Sequence, residues 1–225
     1  MAPTKNGKPD KEVFYFAYGS NLSPAQMLDR CPSSPPIGLA HLSGWTWLIN
    51  ERGYANIIQE KTATPVSSSI FSHSSTFLHN IRLSAGNKKD KDSGEEKGLE
   101  NRTKGGVYGI VYRLHPSDEV KLDMCEGVPW AYQRQFLDAT LLPALTSPTT
   151  ADKDDTHDYS QDVEKEKTVR VLVYIDPKRI LPSAPRKEYV YRMNRGIDEA
   201  MEHWGLPKLY VDSIMRPFIP ARSTG

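Results

Sequence analysis

Residues 13–21, Val-Phe-Tyr-Phe-Ala-Tyr-Gly-Ser-Asn, constrain the fold more than any other stretch of the chain. Bulky residues alternate as in a strand, and the pattern then breaks at Tyr18-Gly19-Ser20-Asn21. A helix start follows at once, with Ser23 as N-cap, Pro24 at the first helical position and Gln26 three residues after the cap. A strand that passes through a glycine turn into a helix N-terminus presents backbone N–H groups. With the positive end of the helix dipole, these suit a carboxylate or an oxyanion. By shape alone, an ordinary β–α turn is an equal reading.

The rest of the chain narrows the class. Its 225 residues suffice for one domain with a sizeable core, and not for two once the polar stretches are set aside. A net charge of +1 argues against a nucleic-acid or anionic-membrane partner, which would need a concentrated basic face. There is no apolar run of membrane-spanning length, and residues 1–12 lack the apolar centre of a signal peptide, so a cytoplasmic protein with a flexible N-terminus is expected. Cys31 and Cys125 are then expected as free thiols. The acidic cluster Asp152, Asp154, Asp155, His157 and Asp158 lacks a glycine-kinked calcium-loop pattern and reads as a solvated loop. No metal or cofactor motif is present, and none is expected to be needed.

Strand patterns run over Gly38–Asn50, Tyr54–Ile58, Val107–Leu114, Arg134–Leu142 and Thr168–Ile175. Pro116 starts a short helix that runs toward Glu126. Helices are expected again over Lys187–His203 and from Pro207 to near Met215. This predicts an α+β fold: a small mixed β-barrel enclosing a cavity, with flanking helices and a helical C-terminal part. Residues 13–225 form one domain, with two polar insertions at about 84–106 and 146–167 expected to be mobile surface loops.

A second segment, Leu122-Asp123-Met124-Cys125-Glu126-Gly127-Val128, lies a hundred residues after the first. A third, Ser183-Ala184-Pro185-Arg186-Lys187-Glu188-Tyr189, is followed seven residues later by Gly196. Together the three resemble the γ-glutamylcyclotransferase (AIG2-like) family. Tyr15-Phe16-Ala17-Tyr18-Gly19-Ser20-Asn21 looks like that family's substrate-binding loop. Glu126 falls where the family carries its catalytic glutamate, and Tyr189 where a tyrosine meets the substrate. The Arg-Lys-Glu before Tyr189 departs from the simpler Ser-Pro run of many relatives.

The resemblance implies an enzyme without cofactor or metal, acting on a small-molecule γ-glutamyl substrate in glutathione metabolism. The substrate's own α-amine attacks its γ-carbonyl, a lyase- or acyltransferase-type cyclisation that releases 5-oxoproline and an amine. Glu126 would take the amine's proton and return it to the leaving nitrogen. Leu122, Val128 and Trp130 would supply an apolar surround that raises its pKa toward neutrality. Backbone N–H groups of Gly19, Ser20 and Asn21 would hold the oxyanion, with Gly19 permitting close approach of the substrate. Tyr15, Tyr18, Tyr132 and Tyr189 would line the cavity, and the two insertions could rim it and tune the leaving group. Relatives act on γ-glutamyl amino acids, γ-glutamyl-lysine amides, glutathione or glutathione-derived adducts. They are often homodimers. A catalytically silent small-molecule binder on the same fold is the alternative.

Overall fold

The alternating residues at the start of the first signature form β1 (Val13–Ala17) in a computed structural model that describes residues 13–60, 105–143 and 167–222. The expected insertions lie outside the described residues except for 105, 106 and 167, as does the expected flexible stretch at 1–12. β1 runs antiparallel to β5 (Gly106–Leu114), with Tyr15 opposite Tyr112, and parallel to β7 (Lys167–Ile175), with Tyr15 opposite Leu172. The order β1-β5-β2-β6-β7 closes into a barrel through that parallel pair, adding β2 (Pro36–Ser43) and β6 (Gln133–Leu141). β6 and β7 share the longest ladder, from Gln133 opposite Ile175 to Leu141 opposite Lys167. The α+β mixed barrel is therefore as expected.

Residues 38–50, expected as one strand, are two. Gly44 adopts φ +77°, a left-handed conformation that ends β2 and sends the chain out of the barrel. β3 (Trp45–Ile49) then pairs with β4 (Ala55–Gln59) as a separate two-stranded sheet. The alternation of Leu42, Trp45, Trp47 and Ile49 could not reveal the break, because a hairpin arm and a barrel strand both bury one face.

Three helical elements flank the barrel. Asp118, at the start of α2 (Pro116–Glu126), ties it to the segment just after α1 (Pro24–Arg30): its carboxylate accepts from Ser33 N–H and Ser34 Oγ, both at 2.8 Å. α3 (Lys187–Trp204) buries Tyr189, Met193, Gly196, Ile197 and Ala200, the spacing of one helix face. It stops at Gly205, φ +71°, in a left-handed C-cap. The last expected helix is a single turn at Lys208–Tyr210 running into a π-helical turn at Val211–Met215. Among the described residues, no helix is long and apolar enough to cross a membrane.

Barrel closure leaves no room at one strand position. A Cβ on Gly109 of β5 would lie 2.7 Å from both the Ala17 carbonyl oxygen and the Phe16 ring. Gly109→Ala should therefore cost roughly 1–3 kcal/mol of stability by overpacking, read as a lower urea midpoint at unchanged slope. An unchanged midpoint would mean that β1 yields freely there.

Candidate active site

The turn after β1 is built as its residues dictate. Ser20–Leu22 form one 3-10 turn, and Ser23 Oγ caps α1 by accepting from Gln26 N–H at 3.1 Å. The Gln26 side chain does not complete a capping box. It donates instead to Ser20 Oγ at 2.9 Å and to Asn21 Oδ1 at 2.8 Å. Asn21 is thereby turned inward. Its Nδ2 donates to Tyr15 Oη at 2.9 Å and to Glu126 Oε1 at 3.1 Å, its Oδ1 also accepts from Arg30 at 3.1 Å, and its carbonyl accepts from Tyr112 Oη at 2.8 Å.

Glu126 is the last residue of α2, and Gly127 at φ +65° ends the helix immediately after it. It is only half-buried by surface, because it faces a cavity, yet protein surrounds it on every other side. Burial pushes its carboxyl up to about 7, against the opposing pull of Arg30, Arg192, Arg52 and the Asn21 bond. Of the apolar surround expected from Leu122, Val128 and Trp130, Leu122 is fully buried and Val128 packs partly buried against the core, whereas Trp130 is 82% exposed and supplies none of it. The neighbours that crowd Glu126 are tyrosines. Their rings exclude water while their hydroxyls point elsewhere: Tyr18 to the Tyr174 carbonyl, Tyr132 to the Ala55 carbonyl, Tyr174 to Asp123.

Tyr189 differs from these. Its oxygen accepts two backbone N–H bonds, from Ser20 at 3.2 Å and from Ala55 at 3.3 Å. Both lone-pair directions are thus occupied, and the hydroxyl proton remains as a donor. Burial pushes its pKa up to about 12, so the proton stays in place across the neutral range. Here the role expected for Gly19 changes. A Cβ at Gly19 would sit 2.8 Å from Tyr189 Oη, so the glycine admits this hydroxyl to the turn. Of the three N–H groups expected to face the substrate, that of Ser20 is thereby committed to Tyr189. Gly196, about two turns further along the same face of α3, lets the helix reach the same turn, since its Cβ would lie 3.1 Å from Leu22 Cβ and Ser23 N.

These parts enclose a cavity of about 230 Å³. Tyr15, Tyr18, Gly19, Ser20, Asn21, Glu126, Tyr132 and Tyr189 all lie on its wall. Phe16 and Ala17 do not; both are wholly buried in the core. The strand alternation that sends Tyr15 to the cavity sends Phe16 to the opposite face. The wall also carries residues that sequence reasoning missed: Arg30, Arg52, Tyr54, Cys125, Tyr174 and Arg192. Arg192 had a signal, lying three positions after Tyr189 on one helix face. Arg30 lies one turn after Gln26 on α1 in the same way. Arg52 had none, because a charged residue between two short strands reads as a solvated turn.

Neither a protein-family model nor a curated protein matches the chain in sequence. Solved structures match it in fold. One described as a γ-glutamyl cyclotransferase is 18% identical, with a TM-score of 0.56 over 96% of this chain and 92% of that one. An uncharacterized protein from Homo sapiens is 17% identical, with the same score and coverage. This chain has the γ-glutamyl cyclotransferase fold. YkqA from Bacillus subtilis also matches, at 16% identity and TM-score 0.53, over 95% of this chain and 57% of its own. At these identities, the cyclotransferase fold is what the likeness establishes.

Two measurements follow from the raised Glu126. Carboxyl ¹³C NMR should show one glutamate titrating near 7, and Arg30→Met should move it higher, because the largest positive influence on the carboxylate is gone. A downward shift would contradict that balance of burial against positive charge. Folding linkage has a definite sign as well. The folded carboxyl holds its proton more tightly than the unfolded one, so its contribution to stability is complete below about 4.5 and is lost as pH rises through about 7. Glu126→Gln cannot ionise, and its stability relative to the parent should rise between pH 4 and pH 8 in paired denaturant titrations.

Proposed function

We propose that the chain is a γ-glutamylcyclotransferase with Glu126 as its general acid and base. The observation that carries this reading is the make-up of the cavity wall: among the described residues it holds one acid, Glu126, and no lysine or histidine. That acid has a pKa of about 7, suited to exchanging a proton with an amine in either direction at neutral pH.

The reaction asks little else of the protein. A γ-glutamyl substrate enters with its α-amine largely protonated, since such amines titrate near 8. Ionised Glu126 removes one proton, and the amine nitrogen attacks the γ-carbonyl carbon to form the ring C–N bond. The carbonyl electron pair moves onto oxygen, and the Tyr189 hydroxyl, whose proton is left to donate, would bond it more strongly as negative charge develops. Glu126 then gives its proton to the departing nitrogen and takes the second proton from the ring nitrogen. The oxyanion's electron pair re-forms the carbonyl as the original amide C–N bond breaks, and 5-oxoproline is released with an amine that carries this second proton away as an ammonium. No external water or nucleophile is consumed. The tyrosine walls hold the flexible glutamyl chain in the folded shape that ring closure needs.

The productive complex holds one proton between Glu126 and the amine. Its rate should rise with pH through about 7 and fall again above the range of the amine, with both limbs belonging to the pair.

The test is 5-oxoproline formation by purified protein from γ-glutamyl amino acids, γ-glutamyl-ε-lysine, glutathione and glutathione adducts. Glu126→Gln should keep the fold and lose at least about a hundredfold in turnover. Cys125→Ala, also on the wall but given no proton to move, should stay within about twofold. Full activity in Glu126→Gln, or no 5-oxoproline from any substrate, would overturn the proposal.

A further inference from the structure

Three arginines line the cavity, and two are already engaged there. Arg192 donates twice to Glu188 and once to Ser20 Oγ, and Arg30 donates to Asn21 Oδ1. Arg52 is different. Among the described residues, its guanidinium makes no salt bridge and no hydrogen bond, although it lies close enough to pull on the Glu126 carboxyl, and its Nη1 is buried from water. A permanent cation with unused donors, held at a cavity wall, calls for an acceptor from the cavity side.

The site is built, not a side chain caught in passing. The guanidinium lies over two aromatic faces, 5.5 Å from the Tyr54 centroid and 5.4 Å from that of Tyr132. Tyr132 is pinned by its bond to the Ala55 carbonyl, and Tyr54 by its bond to Glu188. The hairpin that carries Arg52 is clamped as well. Arg52 N–H donates to Asn50 Oδ1, and its carbonyl accepts from Arg186 Nε at 2.9 Å. Gly53, at φ +82°, passes so close to Arg186 that a Cβ would meet its backbone nitrogen at 2.9 Å. Every bond that fixes residue 52 is thus main-chain, which leaves the side chain to serve the cavity.

Which anion it meets follows from the placement of Glu126. The carboxylate of Glu126 is bonded to Asn21, and Asn21 to Arg30, so the substrate's α-amine and the α-carboxylate on the same carbon belong at that end. Arg52 lies on the wall formed by Tyr54 and Tyr132 and, of the three arginines, bears least on the Glu126 carboxylate. We propose that Arg52 binds the carboxylate of the departing amino acid, so that the site selects γ-glutamyl amino acids over γ-glutamyl amides whose amine carries no anion. This rests on the cyclotransferase reading for its substrate, while recognition by Arg52 can be measured without turnover. A planar guanidinium engages a carboxylate through two parallel bonds, and a neutral amide cannot reproduce that pairing.

The probe is glutaryl-L-alanine, which lacks the α-amine and cannot cyclise, compared by calorimetry with glutaryl-L-alaninamide. The wild-type chain should bind the acid tighter than the amide by on the order of tenfold or more. Arg52→Met should bring that ratio to about one and leave the amide's affinity within about twofold. Arg52→Lys, which keeps the charge without the fork, should retain part of the preference, and it decides the matter if the methionine variant fails to fold. The proposal falls if the wild type binds the two equally or binds neither. It falls too if Arg52→Met weakens both by the same factor, since Arg52 would then hold the glutamyl end. Turnover of γ-glutamyl-L-alanine is read separately. Missing 5-oxoproline beside intact discrimination removes the cyclotransferase reading and leaves the carboxylate seat standing.

Discussion

The side-chain amide of Asn21 is the joint on which the site depends. Its oxygen accepts from Gln26 and from Arg30, and because Arg30 can only donate, that fixes which way the amide points. The nitrogen must then face Tyr15 and Glu126. Through this one group, β1, α1 and the end of α2 share a hydrogen-bond network, and the carboxylate is oriented by a donor that carries no charge of its own. A lysine or arginine in its place would have held the carboxyl well below neutrality. A purely apolar neighbour would have left it unaimed. The amide lets burial dominate the pKa while the geometry stays fixed.

Tyr189 performs the matching task for the second half of the site. By accepting from Ser20 and Ala55 it ties the turn after β1 to the β3–β4 hairpin, two segments that are not strand neighbours. Gly19 and Gly196 make room for that connection, one for the hydroxyl and the other for the helix behind it. The three signatures are therefore one mechanical unit: a turn, a helix end and a helix start meeting at a single cavity.

Much of this was legible in the chain. The Ser23 cap, the proline at the helix start and the helix running to Glu126 were written in local chemistry, whereas Tyr15, Tyr18, Tyr132 and Tyr189 came with the family resemblance and Tyr54 and Tyr174 with neither. Phe16 and Ala17 were carried along by the first signature, and strand alternation alone could have sent Phe16 away from the site. Trp130 misled because adjacency in sequence is not adjacency in space: the chain turns at Gly127, and the ring ends in solvent. Gly44 hid a change of sheet because pattern reports burial and not partner. Arg52 was invisible for a related reason, since a charge on a short loop looks the same whether it faces water or a cavity.

β6 and β7 also separate chemistry from chain length. Tyr132 immediately precedes β6 and Tyr174 lies at the end of β7, so the cavity sits at one end of this nine-residue ladder. The chain between Leu141 and Lys167 joins the barrel at the other end, roughly 25 Å away at strand spacing. Of the two stretches expected to rim the cavity, this one is anchored where it need not. The barrel thus offers a place where sequence can be added, shortened or exchanged for a reporter while the cavity end keeps its shape. The same ladder that delivers the tyrosines insulates them from what is grafted behind.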